Sequence, residues 1–589
     1  MNTLTSQAEN DFFKTNILGH PAGLFVLFFT EMWERFSFYG MRVLLINFLT
    51  YAIVGANPGW GWSAENAGAL FGTYAMLLYL TPIAGGIIAD KFTGYRWAVV
   101  IGALIMTLGH AAMAVETEFM LYVGLGLLVI GTGFFKPNMT SIVSEMYKHL
   151  PEKKDGAYTI FYMGVNAGAF FGMMLCGYLA EKVGWSWGFG LAGIFMLLGT
   201  LQFWLSKPLF GEIGEIPKKD NQTKVELETE LENLKDEDKR NPFTQIDKIL
   251  IVFSAVVGLA YAINDPLSKI GGINLFPFEI NGLSGQYVAV LAALGAFLFL
   301  VVIRIYRYTK IVRDRMIAVV IFAFFTVFFW MSFEQGATSL VLFARDFVDR
   351  SLVGSAQTTF NIVNTLLAVI PLGIITYVLI LLSKQTKHKI LGSNIVLAIT
   401  LIGVWAVTLW MLAREFSVDG SEITVSWFSI LNSFFIIAFA SFFSKWWDSK
   451  YNPSAAMKYG LGLILLAFGF GLLAFGSYGI VEGAKVSMIW LILAYLFHTL
   501  GELCLSPVGL SYVSKLVPPR MIAFMFGMWY LAIAIGNKLA AILGGQVQNI
   551  TKDYSLSIFF LIFTIVPAIA GLFIMILNPL LKKLMHGVK

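Results

Sequence analysis

Sixteen apolar runs, most of about 20 residues or more, account for most of this chain. They fall at 21–51, 65–89, 97–114, 119–146, 157–181, 187–206, 248–264, 284–306, 316–342, 355–383, 390–413, 424–447, 457–477, 486–513, 521–546 and 556–581. A run of this kind is stable across a bilayer only as a helix, because lipid offers its backbone groups no hydrogen bonds. Only 13% of the residues are charged, about half the ~25% usual for a soluble domain. The expected fold class is an all-α polytopic membrane protein with the lipid bilayer as its solvent. The run 248–264 is the shortest and defines the least certain boundary.

Lys and Arg gather in alternate breaks between the runs. They occur at Lys91 and Arg96, at Lys148 to Lys154, through 207–247, at Arg304 to Arg315, at Lys384 to Lys389, at Lys445 to Lys458, at Lys515 and Arg520, and after Lys582. The breaks between these are poor in them, and 52–64 has none. The positive-inside rule then puts both termini in the cytoplasm, in a cytoplasmic (inner) membrane. Dropping any one span would invert every later loop. Met1–His20 lacks the features of a signal peptide, so the first span is expected to direct insertion. The formal net charge of +5 is spread over loops and gives nucleic acid no basic face. Cys176 and Cys504 lie in separate apolar runs, so neither a disulfide framework nor a metal site is expected. The 207–247 segment reads as a solvated helix or linker. No obligate protein partner is evident, which is consistent with a monomer.

Charged residues inside the runs stand out, since each costs at least about 2.5–3.5 kcal/mol at the centre of a span. The first run holds Glu31, Glu34, Arg35 and Arg42, and helical spacing puts them on one face with Phe38. Lys136, Glu334, Glu502 and Lys538 lie in later runs. Following each run from its cytoplasmic or outer end gives the depth of each charge. Arg42 and Glu334 come out at one depth, and Lys136 and Glu502 at another. Two salt bridges are therefore expected, Arg42 with Glu334 and Lys136 with Glu502, each joining the N-terminal to the C-terminal half. Glu31, Glu34, Glu334 and Glu502 outnumber Arg35, Arg42 and Lys136. A carboxylate left without a cation in a bilayer is best accommodated by taking a proton, which is what proton coupling requires. Lys538 either cancels this surplus or snorkels outward.

Gly-rich stretches at Gly164–Gly177 and Gly460–Gly471 suit close helix packing. Six-span halves joined by a cytoplasmic linker suggest the major facilitator plan of two bundles. The loop Gly86–Arg96 resembles the loop motif of that superfamily, in which an acidic helix end and a nearby Arg latch the loop to an adjacent helix. More specific segments follow. Glu31-Met32-Trp33-Glu34-Arg35-Phe36-Ser37-Phe38-Tyr39 resembles the Glu-x-x-Glu-Arg-Phe-x-Tyr-Tyr signature of the proton-coupled oligopeptide transporters. Gly131–Asn138, Phe161–Gly168, Phe329–Gln335, Trp427–Asn432 and the Glu502 segment Gly501–Gly509 are similar to further segments of that family, in its order.

The resemblance implies a proton-coupled symporter that imports di- and tripeptides by alternating access, not an enzyme, with protons as its driving force and no cofactor. It implies proton coupling by Glu31, Glu34, Arg35 and Glu334. It implies peptide binding by Arg42 and Lys136 at the carboxylate and by Glu502, Asn166 and Asn432 at the amino group and backbone. Tyr39, Tyr79, Trp330, Trp529 and Tyr530 would line the side-chain pockets. The implied organisation is an N-terminal six-helix bundle at 1–206, a cytoplasmic linker at 207–247, an extra helix pair at 248–306, and a C-terminal bundle at 307–589. Within the last, 355–413 is a second extra pair, a peripheral hairpin outside the transport core.

Two positions depart from the family pattern. Phe38 stands where the first signature tyrosine is usual, and Ile533 where a small polar residue is common. The alternatives are the same fold carrying another small solute, such as nitrate, an amino acid or a drug, and a peptide sensor that transports nothing.

Overall fold

The computed structural model describes residues 16–148, 150–216, 241–480, 483–517 and 519–588. Fourteen stretches among them are long and apolar enough to cross a membrane. One, Ala64–Met113, is two helices, α2 (Ala64–Ile88) and α3 (Gly94–Met113), joined by a π turn at Ala89–Thr93. Helix α1 (Ala22–Thr50) has the length of a span, 29 residues, but carries four charges. With these two counted, the helices correspond to the sixteen runs. The chain is a multi-pass, all-α membrane protein.

Five helices join α1 in the first half: α2, α3, α4 (Glu118–Met146), α5 (Lys154–Lys182) and α6 (Trp185–Leu205), packed on one another. A pair follows, α7 (Gln245–Lys269) and α8 (Gly285–Tyr306). The span predicted at 248–264 is thus 25 residues long. The helix runs past the predicted bound through Asp265 and Lys269, both of which have ion-pair partners in the fold. The second half is built from α9 (Lys310–Phe333), α13 (Val425–Trp447), α14 (Ala455–Gly476), α15 (Ile489–Leu516), α16 (Pro519–Gly545) and α18 (Leu556–Ile576). Short helices α10 (Ser339–Asp346), α17 (Val547–Asp553) and α19 (Asn578–Leu584) cover its ends. The second inserted pair is α11 (Gly354–Thr386) and α12 (Leu391–Ser417).

That second pair lies in the sequence of the second half but packs against the first. Ser393 donates to the Gln202 carbonyl at 2.9 Å, Tyr178 donates to Glu415 at 2.5 Å, and Arg414 donates to the Lys182 carbonyl at 3.3 Å. A two-residue ribbon, Ser351–Leu352 antiparallel to Ser421–Glu422, closes the neck of the hairpin.

Start signals are local. Ser63, Thr117 and Ser555 accept backbone N–H bonds at the starts of α2, α4 and α18, and Thr244 with Asp247 makes a capping box on α7. Contact between helices relies on glycine. Gly164, Gly168 and Gly172 form a stripe on α5, four residues apart, and a Cβ on any of them would meet the carbonyl of Phe28, Met32 or Phe36 on α1. Hydrophobicity gives helices no preference for each other over lipid, so such close approach supplies the van der Waals contact that does. It also fixes the face of α1 that bears the charges.

Between the halves, the end that carries the Tyr51–Ser63 loop is sealed. Gly68 and Gly72 of α2 abut Ala541 of α16. Glu181 of α5 accepts the N–H groups of Val425 and Ser426 at 2.8 and 3.1 Å, capping α13 from the opposite half. Arg345 of α10 donates to Thr50 of α1 at 2.7 Å. At the other end, which carries Asn16 and Met585, Arg96 donates to the Gly211 carbonyl at 2.7 Å and to Glu215 at 2.5 Å. The Gly86–Arg96 loop is thereby latched to the segment after α6. The rest of the 207–247 segment, residues 217–240, lies outside the described residues.

Candidate functional site

A cavity of about 600 Å³ lies between the halves. The Gly stripe of α5 holds α1 so that Arg35, Phe38, Tyr39 and Arg42 face it. Glu31 and Glu34 stand one layer behind. Arg35 Nε lies 3.0 Å from Glu31, and Nη2 donates to Glu34 at 3.0 Å. All three side chains are buried. Two carboxylates thus share one guanidinium, an arrangement with room for one proton.

At the loop end of the cavity Arg42 forms an ion pair with Glu334. Glu334 opens the tight Glu334–Ala337 turn that ends α9, and this break aims its carboxylate across the interface. The expected pairing of the two by depth is therefore met by direct contact. Gln335 beside it donates to the Met331 and Ala540 carbonyls at 3.1 and 2.9 Å, fixing the turn to α16.

The second expected salt bridge is not formed. Lys136 and Glu502 both line the cavity, but among the described residues no ion pair joins them. Lys136 Nζ lies 4.9 Å from the centre of the Tyr79 ring. Glu502 accepts from Asn432 at 2.9 Å, and Asn432 also donates to Thr499 at 3.1 Å. The halves are apart at this level: Tyr162, on the cavity wall, is 55% exposed. The two charges therefore face open space rather than each other.

Asn166, Tyr39, Tyr79, Trp330 and Trp529 line the cavity as expected, and so does Ile533. Tyr530 is not among the residues that line it. Lys538 plays no part in the site. It is buried against Asp265 of α7, so it neither cancels the surplus in the cavity nor snorkels. Phe38 lies 5.2 Å from the Arg35 guanidinium and 5.9 Å from that of Arg42, and so separates the two cations with a ring that offers no hydroxyl. Sequence reasoning missed Tyr495 and His498, which line the cavity with Glu502. They lie seven and four residues before it, and helical spacing would have found them.

The cavity thus has cations on the wall of one half, a carboxylate and an amide on the other, and aromatic rings around them. The model of the POT family, PTR2, matches residues 96–391 and 382–559. The chain belongs to the POT family. Peptide transporter YePEPT of Yersinia enterocolitica is 30% identical over 578 residues, covering 97% of this chain and 96% of that protein. A di-/tripeptide transporter of Lactococcus lactis subsp. cremoris is 27% identical with 99% of each chain covered. The crystal structure of peptide transporter POT in complex with sulfate superposes with a TM-score of 0.69 at 27% identity, over 98% of this chain and 99% of that one. As a POT-family member the chain has the major facilitator architecture, with two inserted helix pairs in this case.

Proposed function

We propose that this POT-family chain is a symporter that carries di- and tripeptides into the cell with protons. The observation that carries the reading is the opposition of Arg42 and Lys136 on one wall to Glu502 and Asn432 on the other. A short peptide is a zwitterion with a backbone of nearly constant length and variable side chains. Cations recognise its carboxylate, Glu502 its ammonium group, and Asn166 and Asn432 its backbone. Aromatic walls accept many side chains with modest discrimination.

Protons enter through the Glu31–Glu34–Arg35 cluster. When either carboxylate takes a proton, Arg35 is released from one of two competing partners and can turn towards the cavity. Glu334 does the same for Arg42. Peptide and proton binding thereby exchange inter-half salt bridges for ligand contacts and shift the balance between two states of the carrier. With both termini in the cytoplasm and the chain in the inner membrane, as the alternation of Lys and Arg supports, a seal at the loop end and an opening at the other make this an inward-facing state. The moving units are 1–206, with the α11–α12 pair attached to it, and the remainder of 307–589, with 207–247 as their linker. Protons supply the drive without a cofactor, and a monomer in lipid suffices.

Purified protein in liposomes tests this. A pH gradient, acidic outside, should drive uptake of dialanine and trialanine, and neither nitrate nor free alanine should compete. Uptake that ignores the gradient sinks the proton coupling. Competition by nitrate in place of peptide reassigns the solute.

A further inference from the structure

Helix α7 meets the carrier in an unusual way. Of its 25 residues only Asp247, Ala262, Asn264 and Asp265 are buried. Its buried apolar contact is confined to Ala262, which packs with Met76 of α2 and Ala534 of α16. The helix is attached at two polar points, one near each end, and in lipid such points decide where a helix sits.

The point at the Asn16–Met585 end ties the hairpin to the second half. Asp247 binds Arg304 of α8 and Arg307 just past its end at 3.1 and 2.7 Å. Arg304 reaches the Met521 sulfur of α16 at 3.4 Å, and Phe297 stacks on Phe524 of the same helix. The point at the loop end is different, because it engages both halves. Lys538 of α16 is paired with Asp265 of α7 and donates to Thr73 and the Ala69 carbonyl of α2 at 3.0 and 3.3 Å. Thr73 donates to the Ala262 carbonyl of α7 at 2.6 Å. Lys269 of α7 bridges Asp265 and Glu65 of α2, each at 3.2 Å. Lys538 is 3% exposed, so its charge depends on these groups.

We propose that the α7–α8 hairpin is a clasp for the loop end of the carrier: it rides on α16 of the second half and grips α2 of the first. Opening the loop end separates α2 from α16 and breaks the bonds of Thr73 and Glu65 to the hairpin and of Lys538 to α2. The Asp265–Lys538 pair stays intact, which keeps the Lys538 charge neutralised throughout the motion. The clasp favours the state closed at the loop end and so sets how often the cavity opens there. This inference rests on the alternating-access reading above.

Spin labels at Val115 of the first half and Tyr478 of the second, 56% and 83% exposed at the loop end, report the separation by pulsed electron resonance. Cys176 and Cys504 are buried and do not compete for label. In Glu65→Gln/Thr73→Val, which removes the side-chain contacts of α2 to Lys269, Lys538 and the Ala262 carbonyl but leaves the Asp265–Lys538 pair, the long-distance fraction should rise at least about tenfold, since loss of even one hydrogen bond to a charged group gives that much. Asp265→Asn/Lys538→Met removes both charges together, so no buried ion is stranded, and it should raise the same fraction. A wild-type distribution in both folded variants overturns the clasp. If labelled wild-type protein shows one separation with and without dipeptide and at every pH, the alternating-access reading itself falls, and the clasp with it. If dipeptide or pH shifts the wild-type distribution but neither variant does, only the clasp falls.

Discussion

Arg42 of α1 and Glu334 at the end of α9 form the ion pair that closes the cavity at the loop end. Glu334 is 4% exposed and the Arg42 side chain 17%, so the carboxylate is the member that depends on its partner. Removing one partner of a buried pair costs about 3–5 kcal/mol because the other charge is stranded. Arg42→Ala should therefore lower the melting temperature in detergent more than Glu334→Gln does, since it leaves a fully buried carboxylate rather than a partly exposed guanidinium. Proton-driven uptake should fall at least about tenfold in both. Equal melting temperatures would show that the two ends of this pair are equally buried in solution.

Glu34 faces no solvent and shares Arg35 with Glu31. Glu34→Gln keeps the shape and the hydrogen bond to Arg35 and removes the ability to exchange a proton. Uptake driven by a pH gradient should disappear, while counterflow exchange of labelled for unlabelled dipeptide, which needs no net proton movement, should persist. Gradient-driven uptake at the wild-type rate would exclude Glu34 from coupling. Loss of exchange as well would mean that Glu34 holds the fold or the peptide.

The residues that made the pairing of Arg42 and Glu334 legible in sequence are the same ones that could not reveal the relation of Lys136 to Glu502. Depth along a span follows from counting residues, and it is the same in every state of a carrier. Separation across the cavity is not: it depends on which end is open, and no residue count contains that. Lys538 failed for another reason. Its partner Asp265 lies one residue beyond the span read as 248–264, so it was never counted among the membrane charges. The α11–α12 pair shows a third limit. Chain order puts it in the second half, and Trp427 of α13 donates to Asn364 of α11 at 3.2 Å, but Ser393 with Gln202 and Glu415 with Tyr178 attach it to the first. Fold class and span number were readable because lipid imposes a length and a composition on every helix; neighbours were not.

Gly168 sits in the middle of the α5 stripe, where a Cβ would meet the Met32 carbonyl and the Arg35 Cβ at the same time. Overpacking of this kind costs about 1–3 kcal/mol. Gly168→Ala should lower the melting temperature and also impair transport, because the displaced segment of α1 carries Glu31, Glu34 and Arg35. Gly126, with open space around its Cβ position, is the control: Gly126→Ala should change neither. If both alanines behave alike, the stripe does not position α1.

Glu502 is a carboxylate of the second-half wall, and it is oriented by Asn432. If it receives the peptide ammonium group, Glu502→Gln should weaken dialanine binding by about 10- to 100-fold, the range for a hydrogen bond between charged groups. Loss of affinity alone would not distinguish this role from a general disturbance of the cavity. N-acetyl-dialanine makes the distinction, because it has no ammonium group. Wild-type protein should prefer dialanine to the acetylated peptide by a similar factor, and Glu502→Gln should abolish that preference while leaving the affinity for the acetylated peptide nearly unchanged. Asn432→Ala should fall between, since the carboxylate remains but loses the amide that aims it. Competition of both peptides against labelled dialanine in liposomes measures all three. A Glu502→Gln protein that still rejects the acetylated peptide would move recognition of the amino terminus to another residue of the wall.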